Sequence, residues 1–159
     1  MLHANSNRHG RSLHVLDIEN LCGTADISRY IAALAIRSYR SSVPVAVGDH
    51  VVIGSSHHNL LNAGVEWSGA RLLPPRSGPD GADAAIREVL YTERIAERFD
   101  TVFLGSGDGG FAPDAAWLAG RGTYIHVVSR ADALSAKLRL AAHDVTLLFG
   151  NPFNKDNIA

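Results

Sequence analysis

Three aspartates stand where chain segments change character. Asp17 closes the apolar run Leu13-His14-Val15-Leu16-Asp17-Ile18 and is followed by Glu19 and Asn20. Asp108 lies in Gly105-Ser106-Gly107-Asp108-Gly109-Gly110-Phe111, directly after the run Thr101-Val102-Phe103-Leu104. Asp83 follows the loop-forming stretch Pro74-Pro75-Arg76-Ser77-Gly78-Pro79-Asp80-Gly81. Carboxylates drawn together from separate segments repel one another unless a cation lies among them. An all-oxygen donor set suits magnesium or manganese, not zinc. Taken singly, each has a structural role: Asp17 starts a turn, Asp108 caps the helix after it, and Asp83 complements a helix dipole while pairing with Arg87 at i+4. Capping does not require two separate strands both to end on aspartate, so the three are expected to form one site. Asn20 is either a turn amide or a polar arm in that pocket.

The elements that would carry these residues alternate along the chain. Apolar runs too short for helices predict strands at 13–18, 43–47, 65–73, 101–104, 124–128 and 145–149. Between them, helical spacing or turn signals predict helices after an Asp26 or Ser28 cap, at 56–63 with Gly64 as its stop, at 82–99, at 113–119 and at 133–142. Strands separated by helices imply a parallel sheet between two helical layers. Ligands bind such sheets beyond the carboxyl ends of the strands, where the strand order reverses. Asp17 and Asp108 lie at such ends.

Composition narrows the function classes. The 159 residues suffice for one domain, expected over 13–150, with a flexible lead at 1–12 and a polar tail at 151–159. Apolar residues make up 46% and charged residues 19%, which excludes disorder for the bulk of the chain. The net charge of -1 confines any nucleic-acid contact to a local patch, and thirteen of the 15 basic residues are Arg, the side chain suited to forked phosphate contacts. The single cysteine, Cys22, forms no internal disulfide and points to a reducing compartment. Neither a signal peptide nor an apolar run of membrane-spanning length is present, so a cytoplasmic location without membrane association is expected.

Leu16-Asp17-Ile18-Glu19-Asn20-Leu21, Gly81-Ala82-Asp83-Ala84-Ala85-Ile86 and Leu104-Gly105-Ser106-Gly107-Asp108-Gly109-Gly110-Phe111-Ala112-Pro113 together resemble the three motifs of NYN domains, the PIN-like ribonuclease branch that includes LabA-like proteins. The resemblance spans about residues 13 to 130. It implies an α/β, three-layer α/β/α Rossmann-like fold with strand order 3-2-1-4-5, to which the run at 145–149 adds a sixth strand. It further implies a metal-dependent endonuclease acting on single-stranded RNA, with Asp17, Asn20, Asp83 and Asp108 as the catalytic pocket. Asp17, Asp83 and Asp108 would hold Mg2+ or Mn2+, in whose presence water becomes the nucleophile. A homodimer is compatible with this reading.

One departure stands out. The third motif of the family has an acid where this chain has Gly110. Asp114, Asp80 or Glu19 would have to compensate, or the chain is a non-catalytic RNA-binding or regulatory relative.

A different class of function is carried by Gly105, Gly107 and Gly110, which satisfy the G-x-G-x-x-G phosphate cradle of dinucleotide sites, with Arg130 following the next strand. Against it, Asp108 brings negative charge into a loop meant for pyrophosphate. Arg71, Arg76 and Ser106 are candidate RNA contacts, and Trp67 a candidate base-stacking residue. Trp117, the pair His57-His58 and Cys22 read as structural.

Overall fold

A computed structural model of the chain describes residues 10–56, 59–76 and 80–148. Its centre is a six-stranded, all-parallel sheet in the order β3-β2-β1-β4-β5-β6. The strands are β1 (Ser12–Asp17), β2 (His50–Gly54), β3 (Arg71–Leu72), β4 (Thr101–Gly105), β5 (Tyr124–Arg130) and β6 (Asp144–Leu148). The helices are α1 (Ile18–Cys22), α2 (Arg29–Ser42), α3 (Leu60–Glu66), α4 (Gly81–Thr92), α5 (Ile95–Arg98), α6 (Ala112–Gly120) and α7 (Ala136–Ala141), with one 3-10 turn at Gly109–Phe111. The fold class and strand order are those expected, with the sixth strand at the β5 edge.

Both faces of the sheet are buried, and the period-two alternation of side chains sorts them. Leu13, Val15, Val52, Val102, Leu104, Ile125 and Val127 pack against Ile86, Val89 and Leu90 of α4, Ile95 of α5, Leu118 of α6 and Leu138 of α7. Leu16, Val51, Ile53, Phe103 and Val128 pack on the other face against Leu21 of α1, Ile36 and Tyr39 of α2, and Ala63 of α3. The four inner strands, β2, β1, β4 and β5, are thus covered on both faces, which accounts for their near-continuous apolar runs.

Several boundaries differ from the sequence reading. The second strand is 50–54, not 43–47: Val43 ends α2, and Pro44, lacking an amide hydrogen, would leave a gap in a strand paired on both sides. The helix expected at 56–63 runs Leu60–Glu66 and continues through Gly64, whose missing side chain admits Leu72 (a Cβ there would lie 2.5 Å from Leu72 Cδ1). The third strand shrinks from nine residues to Arg71–Leu72. The long helix at 82–99 is two, divided where Arg94 takes a left-handed conformation with φ 55°. The last helix and last strand are shifted to Ala136–Ala141 and Asp144–Leu148. Ser28, not Asp26, caps α2 through its hydroxyl, which accepts from the Ile31 amide. Of the expected lead, Ser12 belongs to β1 and the Gly10 amide donates to Asp100. Residues 1–9, the pair His57-His58, residues 77–79 and the tail at 151–159 lie outside the described residues.

Candidate active site

The reversal of strand order falls between β1 and β4, and there the sheet assembles acids. Leu16 pairs with Gly105 in the last rung, so Asp17 and Ser106 emerge side by side at the carboxyl end. Ser106, fully buried, donates its hydroxyl to Asp17 Oδ2 at 2.9 Å. Its oxygen also accepts the Asp108 amide at 3.2 Å, which ties the acid of β1 to the turn after β4. Asp108 turns back on that loop, and its Oδ1 accepts the Gly110 amide at 2.8 Å. Asn20, on α1, accepts the Gly107 amide on Oδ1 at 2.8 Å. It is a strap between the two strand ends.

Asp83 enters from the first turn of α4, on the opposite helical layer. Burial raises its carboxyl to about 6, and the charge of Asp108 adds to this, with the two carboxyls within hydrogen-bonding reach and Asp80 adding further repulsion. Arg87 offsets part of it. Burial likewise raises Asp17, only 5% exposed, to about 7; the Ser106 hydroxyl opposes this, while Asp83 and Glu19 reinforce it. Asp83 of α4 thus stands as the electrostatic link between Asp17 of β1 and Asp108 of the loop after β4, which are 91 positions apart in the chain.

The remaining candidates are placed elsewhere. Glu19 turns toward the loop after β2, where Oε1 accepts the Ser56 amide at 2.6 Å, the Ser55 hydroxyl and the Asn59 side-chain amide. Its other oxygen, Oε2, is buried without a partner among the described residues. Asp114, 3% exposed, is held by Arg87, whose Nε donates to it at 3.1 Å. This also replaces the expected Asp83–Arg87 pairing. Asp80 is exposed at the start of α4. Arg71 is paired with Glu93 at 2.7 Å and Arg76 with Glu88. Ser106 serves Asp17 and is fully buried, so it presents no surface to RNA.

Trp67 is a core residue, with Tyr39 beside it and Arg40 stacked on it. Trp117 is partly buried between Tyr91 and Arg121. Cys22 is buried and its thiol pushed up to about 12, chiefly by burial, which makes it inert. The amides of Gly107, Asp108, Gly110 and Phe111 are all engaged within the protein, so the glycine loop has few donors to offer a pyrophosphate. Arg130 is likewise occupied, by the Asn20 carbonyl and Asp132.

Fit to a divalent cation follows from the donors. Among the described residues, no three acid, histidine or cysteine side chains form a ready-made metal cage. Magnesium, however, is commonly held through one or two carboxylates and retains several waters. The oxygen-only, mutually repelling trio fits that mode.

No family model matches the chain, and no curated protein matches it. Among solved structures, the chain is similar to a protein of unknown function from Vibrio parahaemolyticus, with 20% identity, a TM-score of 0.56, and coverage of 95% of this chain and 98% of that one. At that identity the likeness is one of fold: an α/β domain with a parallel, Rossmann-like sheet spanning nearly the whole chain.

Proposed function

We propose that the chain is a divalent-metal-dependent endoribonuclease of the NYN/PIN-like type, hydrolysing phosphodiester bonds of single-stranded RNA. The observation that supports it is the convergence of Asp17, Asp83 and Asp108 at the β1/β4 switch point, where burial first and neighbouring acids second push the carboxyls of Asp17 and Asp83 toward neutrality. Perturbed carboxylates gathered at such a place mark functional sites more often than structural ones. Asp17 and Asp108 would hold Mg2+ or Mn2+, each already oriented by one fixed donor, Ser106 or the Gly110 amide. The ion, when bound, supplies Lewis acidity that lowers the pKa of water and offsets charge on the phosphoryl oxygens. Asp83, raised to about 6, is suited to take a proton from the attacking water on its carboxylate. Asn20 keeps the two strand ends in register through the Gly107 amide.

Asp108→Asn preserves shape and removes the charge that attracts the ion. Cleavage of single-stranded RNA in manganese should fall at least about 100-fold, roughly 2.7 kcal/mol of transition-state stabilisation, with circular dichroism unchanged. A rate within about threefold of the unaltered protein would remove Asp108 from the mechanism.

A second reading, an RNA-binding relative without catalysis, is favoured by the absence of a three-ligand cage among the described residues. It predicts oligonucleotide binding with no manganese-dependent cleavage. A cytoplasmic setting and a homodimer belong to the same proposal. No helix among the described residues is long and apolar enough to cross a membrane.

A further inference from the structure

We infer that Arg87 is the phosphate-contacting residue of this pocket, its guanidinium bordering the space that a side chain at position 110 would enter; the inference rests on the nuclease reading. A Cβ built on Gly110 would lie 3.1 Å from Arg87 Nη2 and 3.2 Å from Asp108 Oδ1, so position 110 is the gap between the guanidinium and the acid. The guanidinium is anchored on three sides. Nη2 donates to the Gly110 carbonyl at 2.8 Å, Nε donates to the buried Asp114 at 3.1 Å, and the guanidinium carbon stands 5.1 Å from the centre of the fully buried Phe111 ring. Asp83 lies one helical turn earlier on α4, so cation and acid project from the same face of one helix. The Arg87 side chain nevertheless remains 34% exposed, enough for a ligand to reach it.

The chemistry follows from charge. A pocket of carboxylates repels a phosphodiester, and a fixed cation in its wall offsets that repulsion at the place where the phosphate must sit. A guanidinium fork matches the geometry of two phosphate oxygens, and one whose anchors are rigid loses little freedom on binding. The same positive charge opposes binding of a metal ion nearby. An acid at position 110 would do the reverse: it would meet Arg87 first and occupy the fork. Glycine at 110 therefore leaves the guanidinium available to substrate.

Opposite signs for the two ligands test this. Binding of a non-cleavable, 2'-O-methylated single-stranded oligonucleotide is measured by fluorescence anisotropy, and manganese binding by calorimetry, in the full chain. The double variant Arg87→Gln/Asp114→Asn, which leaves no buried carboxylate unpaired, should weaken oligonucleotide binding at least about tenfold while manganese binding is unchanged or tighter. Gly110→Asp should weaken the oligonucleotide by a similar factor, and Arg87→Lys should retain part of the affinity through its charge. Unchanged oligonucleotide affinity in the first two variants, or parallel loss of oligonucleotide and manganese, overturns the assignment. If Asp108→Asn leaves manganese binding intact while the Arg87 variants still lose oligonucleotide, the nuclease reading fails and the phosphate contact stands.

Discussion

Asp17 and Asp49 are both tucked against the same sheet, one at its carboxyl end and one at its amino end, and their surroundings are opposites. Asp49 accepts the Ser12 amide at 3.0 Å, the Ala46 amide at 2.9 Å and His14 Nε2 at 3.1 Å; His14 in turn is hydrogen-bonded through Nδ1 to the Tyr39 hydroxyl at 2.7 Å. Burial pushes the Asp49 carboxyl up, but those donors prevail and hold it below the usual carboxylate range. Burial pushes the Asp17 carboxyl up too, Asp83 and Glu19 add to it, and the Ser106 hydroxyl and the Asn20 backbone do not prevail, so it is raised. A carboxylate matched by donors contributes to the fold. One placed among carboxylates costs stability, and such a cost persists where a ligand repays it.

The largest expected contrast is in stability. Asp49→Ala breaks a buried network and strands His14, so the urea midpoint should report a loss of about 3 kcal/mol. Asp17→Asn removes a poorly solvated charge and should cost nothing or stabilise. Equal losses in the two variants would erase the distinction between the two ends.

A smaller effect, of opposite sign at the two ends, concerns pH. Asp17 binds its proton more tightly folded than unfolded, so in metal-free protein its contribution is fully present below pH 4 and is lost as pH rises through about 7. Between pH 5 and 8 it should lower stability by on the order of 2 kcal/mol, read as the difference between wild type and Asp17→Asn. His14 is lowered by burial despite Asp49, so its contribution runs the other way, present above pH 6.5 and lost on acidification. A wild-type profile parallel to that of Asp17→Asn would show that Asp17 is not strained.

Metal should sharpen the comparison by about 1.4 kcal/mol at tenfold excess over Kd, seen as a rise of a few degrees in Tm with manganese and not with sodium at equal ionic strength. That rise should vanish in Asp17→Asn and survive in His14→Gln. The smallest expected effect is at Cys22, where native protein should resist alkylation by iodoacetamide and lose nothing in Cys22→Ala beyond about 1 kcal/mol of packing.

The sequence made the central strands legible because burial on both faces leaves no polar alternation to confuse the reading: β1, β4 and β5 were visible as apolar runs, and Asp17 and Asp108 with them. β2 was obscured by a decoy, since Val43-Pro44-Val45-Ala46-Val47 is as apolar as Val51-Val52-Ile53. The signal that separates them is Pro44, which cannot serve a strand paired on both sides. Asp83 was legible as a helix start. The role of Arg87 was not, because i+4 spacing offered it Asp83, whereas tertiary packing delivered Asp114 from 27 positions away. The donors around Asp49 were hidden for the same reason: His14 looked like one polar residue in an apolar strand, and its partners come from α2 and the turn before β2.

The rung that joins Leu16 to Gly105 also sets a timetable. Asp17 and Ser106 are 89 positions apart in the chain, against 37 for the Ser12–Asp49 contact that helps fasten β1 beside β2. Closing the longer loop costs only about 0.8 kcal/mol more in chain entropy, so the difference is one of order, not of energy. During synthesis from the amino end, every residue of the β1–β2 half and of its donor network is made before β4. Asp83 on α4 also precedes β4 in the chain, so Asp17 and Asp83 are both made before the turn that carries Asp108, and the acid pocket is complete only when β4 lies beside β1. A nascent chain carries the scaffold well before it carries the pocket.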